Sequence, residues 1–302
     1  MTRLTSFCFF WLVSMCCLLV PLQVVAAPIT FVTALPVARG EMLVRAQAKL
    51  LRATDDDSPG DRDLTVWAVP VIAAYGITGK LALFGVLPVL DKEMEVTTPL
   101  GRMKRGDSGI GDLTALARYT VWKKDEPGKT LRLAPFMALK MPTGQDDATD
   151  SIGKLPQPLQ LGSGSWDYTA GLVLTRQTLA RQFDGSLSYT VKTEADGFEF
   201  GDEIRFDLSY QYRLWPRRLT SGVVGFVYGV LESTLMWRDN NTVQGIDDPD
   251  SGGVTWYLAP GVQYVTRRTV LEMAVQLPVV QNLNGTALKN DFAAIMSFRM
   301  NF

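Results

Sequence analysis

The chain has 302 residues, is 47% hydrophobic and 20% charged, and carries a formal net charge of −1. That composition is too polar for a bundle of membrane helices, and the balanced charge leaves no electrostatic footprint for nucleic acid. There is no histidine, and all three cysteines (Cys8, Cys16 and Cys17) lie near the amino terminus.

The first segment has the layout of a secretory signal peptide: Arg3 in a short basic region, an apolar stretch Phe7–Val20, and the small residues Val24-Val25-Ala26-Ala27. Cleavage after Ala26 is expected, so that Pro28 is not the first mature residue, and residues 1–26 are read as removed. An uncleaved anchor helix is the alternative, since the apolar run Cys8–Ala27 is nearly long enough to span. Cleavage would leave a chain without cysteine, able to cross an oxidising compartment without a disulfide. Residues 27–41, with Pro28 and Pro36 and no clear period, read as an extended segment that could tuck into a lumen.

From Met42 onward, segments recur in which one of two alternating faces is free of charge. Side chains alternate across a strand, so each segment reads as a strand with an apolar and a polar face. The first is Met42–Arg52, with Val44, Ala46, Ala48 and Leu50 against Arg45, Gln47 and Lys49. Leu64–Tyr75 and Lys80–Asp91 alternate least, and each holds a proline, Pro70 and Pro88, which removes a ladder donor and suggests a bulge or an edge. A long polar loop is expected over Lys92–Gly111. Asp112–Trp122 and Thr130–Met141 follow, then the longest loop, Pro142–Ser165. Trp166–Gln177 and Gln182–Thr193 come next. The clearest alternation sets Ile204, Phe206, Leu208, Tyr210, Tyr212 and Leu214 against Arg205, Asp207, Ser209, Gln211 and Arg213. A long, glycine-rich strand is read over Leu219–Arg238, then Gly253–Val265, Val270–Val280 and the closing strand Asp291–Phe302.

This makes about twelve strands whose connections alternate between long and short, the asymmetry of bacterial outer-membrane barrels. The expected fold is all-β: a transmembrane antiparallel up-and-down barrel over residues 42–302, with both termini in the periplasm. Trp122, Trp166, Tyr210, Tyr212, Trp215, Trp237, Trp256 and Tyr257 stand where an interfacial girdle would place them. Arg or Lys at the bilayer midplane costs about 2–4 kcal/mol, and the proposed outer faces carry none there. Outer-membrane lipid and lipopolysaccharide, and the machinery that inserts barrels, are the implied partners. Phe302 is the expected insertion signal.

Without histidine, the serine- and water-activating chemistry of histidine-based hydrolases is excluded in that form. A zinc site is excluded too, since the mature chain would have neither His nor Cys. No catalytic residue, cofactor or metal ligand is assigned. Asp55-Asp56-Asp57 reads either as a solvated loop or as a binder of bridging cations. The polar faces would project Arg45, Lys49, Asp112, Arg118, Arg132, Lys140, Lys192, Arg205, Asp207, Arg213, Glu272 and Arg299 inward. Basic residues dominate, which fits either a lumen preferring anionic or polar-headed solutes or a packed barrel with paired charges.

Short patterns recur in order: Tyr75-Gly76-Ile77-Thr78 with Leu81 and Pro88; Gly109-Ile110-Gly111-Asp112-Leu113 with Arg118-Tyr119; Pro142-Thr143-Gly144; and Leu161-Gly162-Ser163-Gly164-Ser165. With Phe302 they resemble the outer-membrane barrel family described as "Putative MetA-pathway of phenol degradation", over Met42–Phe302. The resemblance implies a barrel that passes hydrophobic or aromatic compounds, distantly like the long-chain fatty-acid and hydrocarbon channels. The segment before Met42 is shorter than the amino-terminal plug of the fatty-acid channels, so gating by that device is not implied. The resulting expectation is a passive channel for small hydrophobic or aromatic solutes; the alternative is a closed structural barrel whose loops bind a surface partner.

Overall fold

The computed structural model describes residues 26–99, 101–218 and 222–302. All of the expected signal segment except Ala26 lies outside these residues.

The wall is one antiparallel sheet of fourteen strands. In chain order these are β1 Met42–Ala53, β2 Asp63–Gly76, β3 Leu81–Thr98, β4 Gly101–Ile110, β5 Leu113–Tyr119, β6 Trp122–Glu126 and β7 Lys129–Met141. They continue as β8 Asp167–Thr178, β9 Arg181–Lys192, β10 Glu203–Trp215, β11 Gly225–Arg238, β12 Gly253–Thr266, β13 Thr269–Leu283 and β14 Phe292–Asn301. β4, β5 and β6 are successive pieces of one interrupted path: β4 and β5 both pair with β3, and β5 and β6 both pair with β7. The sheet therefore has twelve positions around its circumference. It closes where β14 pairs with β1, from Leu43↔Asn301 to Arg52↔Phe292. Closure removes the open edges that a flat sheet would leave unpaired.

The burial pattern is inverted relative to a water-soluble protein. On β10, Ile204, Phe206, Tyr210, Tyr212 and Leu214 are exposed while Asp207, Ser209, Gln211 and Arg213 are buried. β14 repeats this, with Met296 and Phe298 exposed and Ser297 and Arg299 buried. That arrangement is favourable against a hydrocarbon solvent, because the outer face presents mainly apolar side chains. Aromatic rings at the strand ends, such as Trp122, Trp166, Trp215 and Trp237, are exposed on the outer face. Tyr257 departs from the expected girdle. It is buried, on the inner face with Thr255 and Ala259, and its hydroxyl accepts a 2.6 Å hydrogen bond from Asn290 Nδ2.

The segment expected as a long polar loop, Lys92–Gly111, is instead a hairpin that carries β3 and β4 beyond the barrel body, with Val89↔Ile110 through Thr98↔Gly101 in register. Its charges lie across the ladder from one another: Glu93 with Lys104 at 2.5 Å, and Glu95 with Arg102 at 2.9 Å. Such cross-strand pairing lets a polar sequence remain a strand in water.

Both prolines interrupt ladders. Pro70 and Pro88 are direct register partners between β2 and β3. The β1–β2 ladder skips from Ala46↔Val71 to Lys49↔Ala68, beside Pro70. On the other flank, Val86 pairs with Thr114 and Val89 with Ile110, so Leu87-Pro88 face Gly111-Asp112-Leu113 across a bulge.

Candidate functional site

An extended segment without a sheet partner must find other groups for its backbone N–H and C=O. Residues 26–41 meet this requirement by crossing the interior against the polar faces of the wall. Ile29 N and Thr30 N donate to the Glu232 carboxylate at 2.6 and 3.0 Å, and Thr30 Oγ1 donates to it at 2.6 Å. Ala34 N donates to Thr175 Oγ1 at 2.8 Å, and Thr33 Oγ1 donates to Asp184 Oδ1 at 2.9 Å. Ile29 O accepts from Arg45 at 2.7 Å and Gln47 at 3.2 Å, Leu35 O accepts from Arg118 at 2.6 Å, and Ala27 O accepts from Gln263. Small apolar contacts complete the fit: Ile29 packs on Val230, Ala274 and Ile295, and Ala34 on Ala134, Phe136 and Val173. At the short-turn end the segment passes so close to β2 that a Cβ on Gly76 would lie 2.0 Å from Ala38 O.

Buried carboxylates are costly unless hydrogen-bonded, and those of this wall are. Asp184 and Glu232 bind the segment, Asp207 accepts from Arg205 at 2.9 Å and Thr234 at 2.6 Å, and Glu272 pairs with Arg45 at 2.7 Å. The strands β8 to β14 thus form a polar wall covered by the segment.

The inner face of β2 and β3 is different. Val66, Ala68, Pro70 and Ile72 on β2, and Phe84, Val86, Pro88 and Leu90 on β3, form an apolar panel that stays half-buried. Its orientation follows from Ile72, the register partner of Arg45, and from Phe84, whose ring lies 5.0 Å from the Arg118 guanidinium. This panel explains why these two strands show the weakest alternation. Both of their faces are apolar.

Above the panel, the bulge holds a carboxylate that ties the longest loop to the wall. Asp112 Oδ1 accepts from Thr143 N at 3.1 Å and Gly144 N at 2.9 Å, and Oδ2 accepts from Ser163 N at 2.9 Å and Ser163 Oγ at 3.0 Å. The glycines of this knot are packed backbone to backbone: a Cβ on Gly144 would lie 2.9 Å from Gly162 Cα, and one on Gly162 would lie 2.4 Å from Gly144 O. Lys140 closes it, 2.7 Å from Asp167 and 2.5 Å from Ser163 Oγ. Beneath the loop is a cavity of about 320 Å³ bordered by Pro88, Leu90, Leu161 and Phe200.

The twelve charged residues proposed for the lumen fall into separate groups. Arg45, Glu272 and Arg299 cluster at the seam, Arg45 and Arg299 being register partners across β1 and β14. Arg118 and Arg205 reach segment carbonyls, the latter at 3.4 Å from Thr30 O beside its partner Asp207. Asp112 and Lys140 hold the loop. Lys192 lies over the Phe200 ring at 5.6 Å, and Lys49 is the register partner of Ala68 and Ile295. Arg132 and Arg213 stand at the short-turn end, bound to Asp125 at 3.2 Å and to Leu179 O at 2.9 Å. Phe302 is exposed, its N–H donating to Met42 O at 2.8 Å. Sequence reading missed Asp184 and Glu232. Glu232 is the lone acidic residue of β11, a signal that only the segment it binds makes meaningful.

The acidic loop uses its charges locally. Arg62 lies 2.7 Å from Asp56, and burial of that carboxyl is outweighed by the bonds from Arg62 and Ser58, which hold its pKa well below the usual range. Lys289 pairs with Asp57 at 2.8 Å and Asp55 at 3.5 Å. Among the described residues, no group of three or more His, Cys, Asp or Glu is placed to hold a metal ion.

A closed twelve-position barrel with an apolar outer face and a polar, occupied interior is the architecture of the outer-membrane β-barrels. The chain belongs to the family described as "Putative MetA-pathway of phenol degradation", whose model matches residues 62–279. An outer membrane channel from Pseudomonas putida F1 shares the fold at a TM-score of 0.66 and 16% identity, over 89% of this chain and 98% of that one. The translocator domain of the autotransporter NalP from Neisseria meningitidis aligns at a TM-score of 0.46 and 10% identity, covering 89% of this chain and 91% of its own. The CymD monoaromatic hydrocarbon channel aligns at 0.37 and 11%, covering 88% of this chain and 89% of its own. No curated protein sequence matches.

Proposed function

We propose that the protein is a passive outer-membrane channel for small hydrophobic or aromatic solutes. The observation that carries this reading is the division of the interior. The polar wall is covered by residues 27–41, whereas the apolar panel Val66–Ile72 and Phe84–Leu90 is left half-open below a cavity of about 320 Å³. A barrel needing only stability would gain by burying that panel, since each apolar side chain fully buried is worth about 1.5–3 kcal/mol. An open apolar track also suits solutes that carry no hydrogen-bonding groups, because they have nothing to exchange with the polar wall. The family description and the channel from Pseudomonas putida F1 agree with this reading.

In this account residues 1–26 direct secretion and are removed, the short turns face the periplasm, and the long loops and the β3–β4 hairpin face outward to receive solute. The inner charges hold the segment and the loop more than they select ions. The test is uptake of radiolabelled toluene by intact Gram-negative cells, whose lipopolysaccharide leaflet is the barrier. Expression should raise the uptake rate. No increase over cells lacking the barrel would instead leave a closed structural barrel whose loops bind a surface partner.

A further inference from the structure

The short-turn end of the barrel is charged in one sense. Lys80 stands in the β2–β3 turn, Arg217 and Arg218 follow β10, Arg267 and Arg268 lie between β12 and β13, and Arg39 lies beside the contact of Gly40 N with Gly76 O. All six are exposed, and among the described residues none of them is in an ion pair. Of the acids at this rim, Asp125 is paired with Lys123 and Arg132, and Glu126 with Lys124 and Lys129, which leaves Glu41 against the excess. The long loops carry acidic runs instead, Asp55-Asp56-Asp57, Asp146-Asp147 and Asp247-Asp248. Charge serving solubility alone would not be sorted by sign between the two ends.

Two further cations decide what the rim faces. Arg176 of β8 follows Leu172 and Leu174 on the outer face, and its register partner is Phe183 of β9. Arg181 shares the outer face of β9 with Phe183 and Leu187. It stands opposite Tyr212 of β10, and its guanidinium lies 5.7 Å from the centre of that ring. Both arginines are exposed, in line with side chains that meet hydrocarbon. That level is the boundary at which amphipathic rings such as Tyr212 settle and to which long cationic side chains reach. The anion of that layer is the lipid phosphate, which a guanidinium can bind through two parallel hydrogen bonds. Neither arginine points into the lumen, so neither steers solute there. A soluble acidic protein would reach the tips of the turns, but not a row bordered by Leu174 and Phe183.

We propose that the short-turn rim, centred on Arg176 and Arg181, is a binding surface for anionic phospholipid. Headgroup phosphates neutralise the unpaired cations, and the acyl chains lie against Leu174, Phe183 and Tyr212. Because cations occupy turns all around the circumference, the preference belongs to the whole lipid shell at this end, and it fixes the depth at which the barrel sits. The assignment to the periplasmic leaflet rests on the short turns facing the periplasm, as in the reading above. The binding chemistry does not depend on which solute the barrel carries.

The test is the lipid preference of the purified barrel in phosphatidylcholine vesicles at low salt. Spin-labelled phosphatidylglycerol and spin-labelled phosphatidylcholine are compared by the fraction of each that the protein immobilises. The parent should hold phosphatidylglycerol several-fold in preference to phosphatidylcholine. Arg176→Gln with Arg181→Gln should remove most of that preference, whereas Arg176→Lys with Arg181→Lys, which keeps the charge, should retain most of it. Raising the salt to about 1 M shortens the screening length to about 3 Å and should abolish the preference of the parent. The salt series decides the matter if the Gln variant fails to show the heat-dependent gel shift of a folded barrel. Equal immobilisation of the two lipids by the parent would overturn the proposal and leave the rim as a docking surface for an acidic soluble protein. A preference that survives about 1 M salt, or that is undiminished in the folded Gln variant, would overturn it as well. Toluene uptake tests the channel separately, so the failure of one reading does not decide the other.

Discussion

Asp112 and Ser163 stand 51 positions apart in sequence, and one oxygen of the Asp112 carboxylate accepts from both the backbone N–H and the hydroxyl of Ser163. The other oxygen holds Thr143 and Gly144. Three short motifs that look independent in the sequence are thereby one structure, the knot that fastens the Pro142–Ser165 loop to the break in the wall.

Asp112→Ala should free that loop. Each buried donor left without an acceptor costs about 1–3 kcal/mol, so the loop should detach while the barrel persists. Limited proteolysis should cut within Pro142–Ser165 far faster than in the parent, with the heat-dependent gel shift retained. Gly144→Ala should do the same, because its Cβ would meet Gly162 Cα at 2.9 Å. An uncut loop in both variants would show that the knot does not hold it.

Glu232→Ala removes the acceptor of Ile29 N, Thr30 N and Thr30 Oγ1. The cost, about 1–3 kcal/mol for each stranded donor, should loosen residues 26–41 from the polar wall. Planar-bilayer recordings should show larger and noisier ion conductance than the parent. Glu232→Gln, which keeps a carbonyl acceptor, should fall between the two.

On the panel, Val86→Asp, whose register partners are Ile72 and Thr114, puts a carboxylate on the proposed solute track away from the segment's hydrogen bonds. Toluene uptake by intact cells should drop severely while ion conductance changes little. The opposite pattern would assign transport to the polar wall.

The outer loops carry the predicted pH dependence. Arg105, 2.7 Å away, opposed by modest desolvation and aided by the N–H groups of Ile152 and Gly153, holds the Asp150 carboxyl down at about 2. Asp56 is depressed as well. A depressed carboxylate contributes stability that is complete above its unfolded value, near 3.9, and is lost as pH falls through its folded value. Amide protection factors, with the intrinsic pH dependence of exchange divided out, should therefore be unchanged in the loops around Asp56 and Asp150 from neutral pH down to about 4 and fall below it, toward the folded value of about 2 for Asp150. The barrel strands should stay protected over the same range.

The amino-acid sequence by itself determined the barrel. Strand alternation is a local property, and a face such as Ile204–Leu214 that is apolar on every second residue identifies its solvent without any tertiary contact. It also marked Pro70 and Pro88 as positions for a bulge or an edge, because each removes a ladder donor. Tertiary structure decided what those features do. That Pro70 and Pro88 oppose each other is a matter of register. That Glu232 and Asp184 hold residues 26–41, more than a hundred positions away, depends on which strands the closed sheet brings opposite the segment. The polar loop expected over Lys92–Gly111 is a hairpin whose charges pair across the ladder, Glu93 with Lys104 and Glu95 with Arg102, and with a neighbouring loop, Arg105 with Asp150, which no reading of one strand can show. Period belongs to the chain, whereas partners belong to the closed sheet.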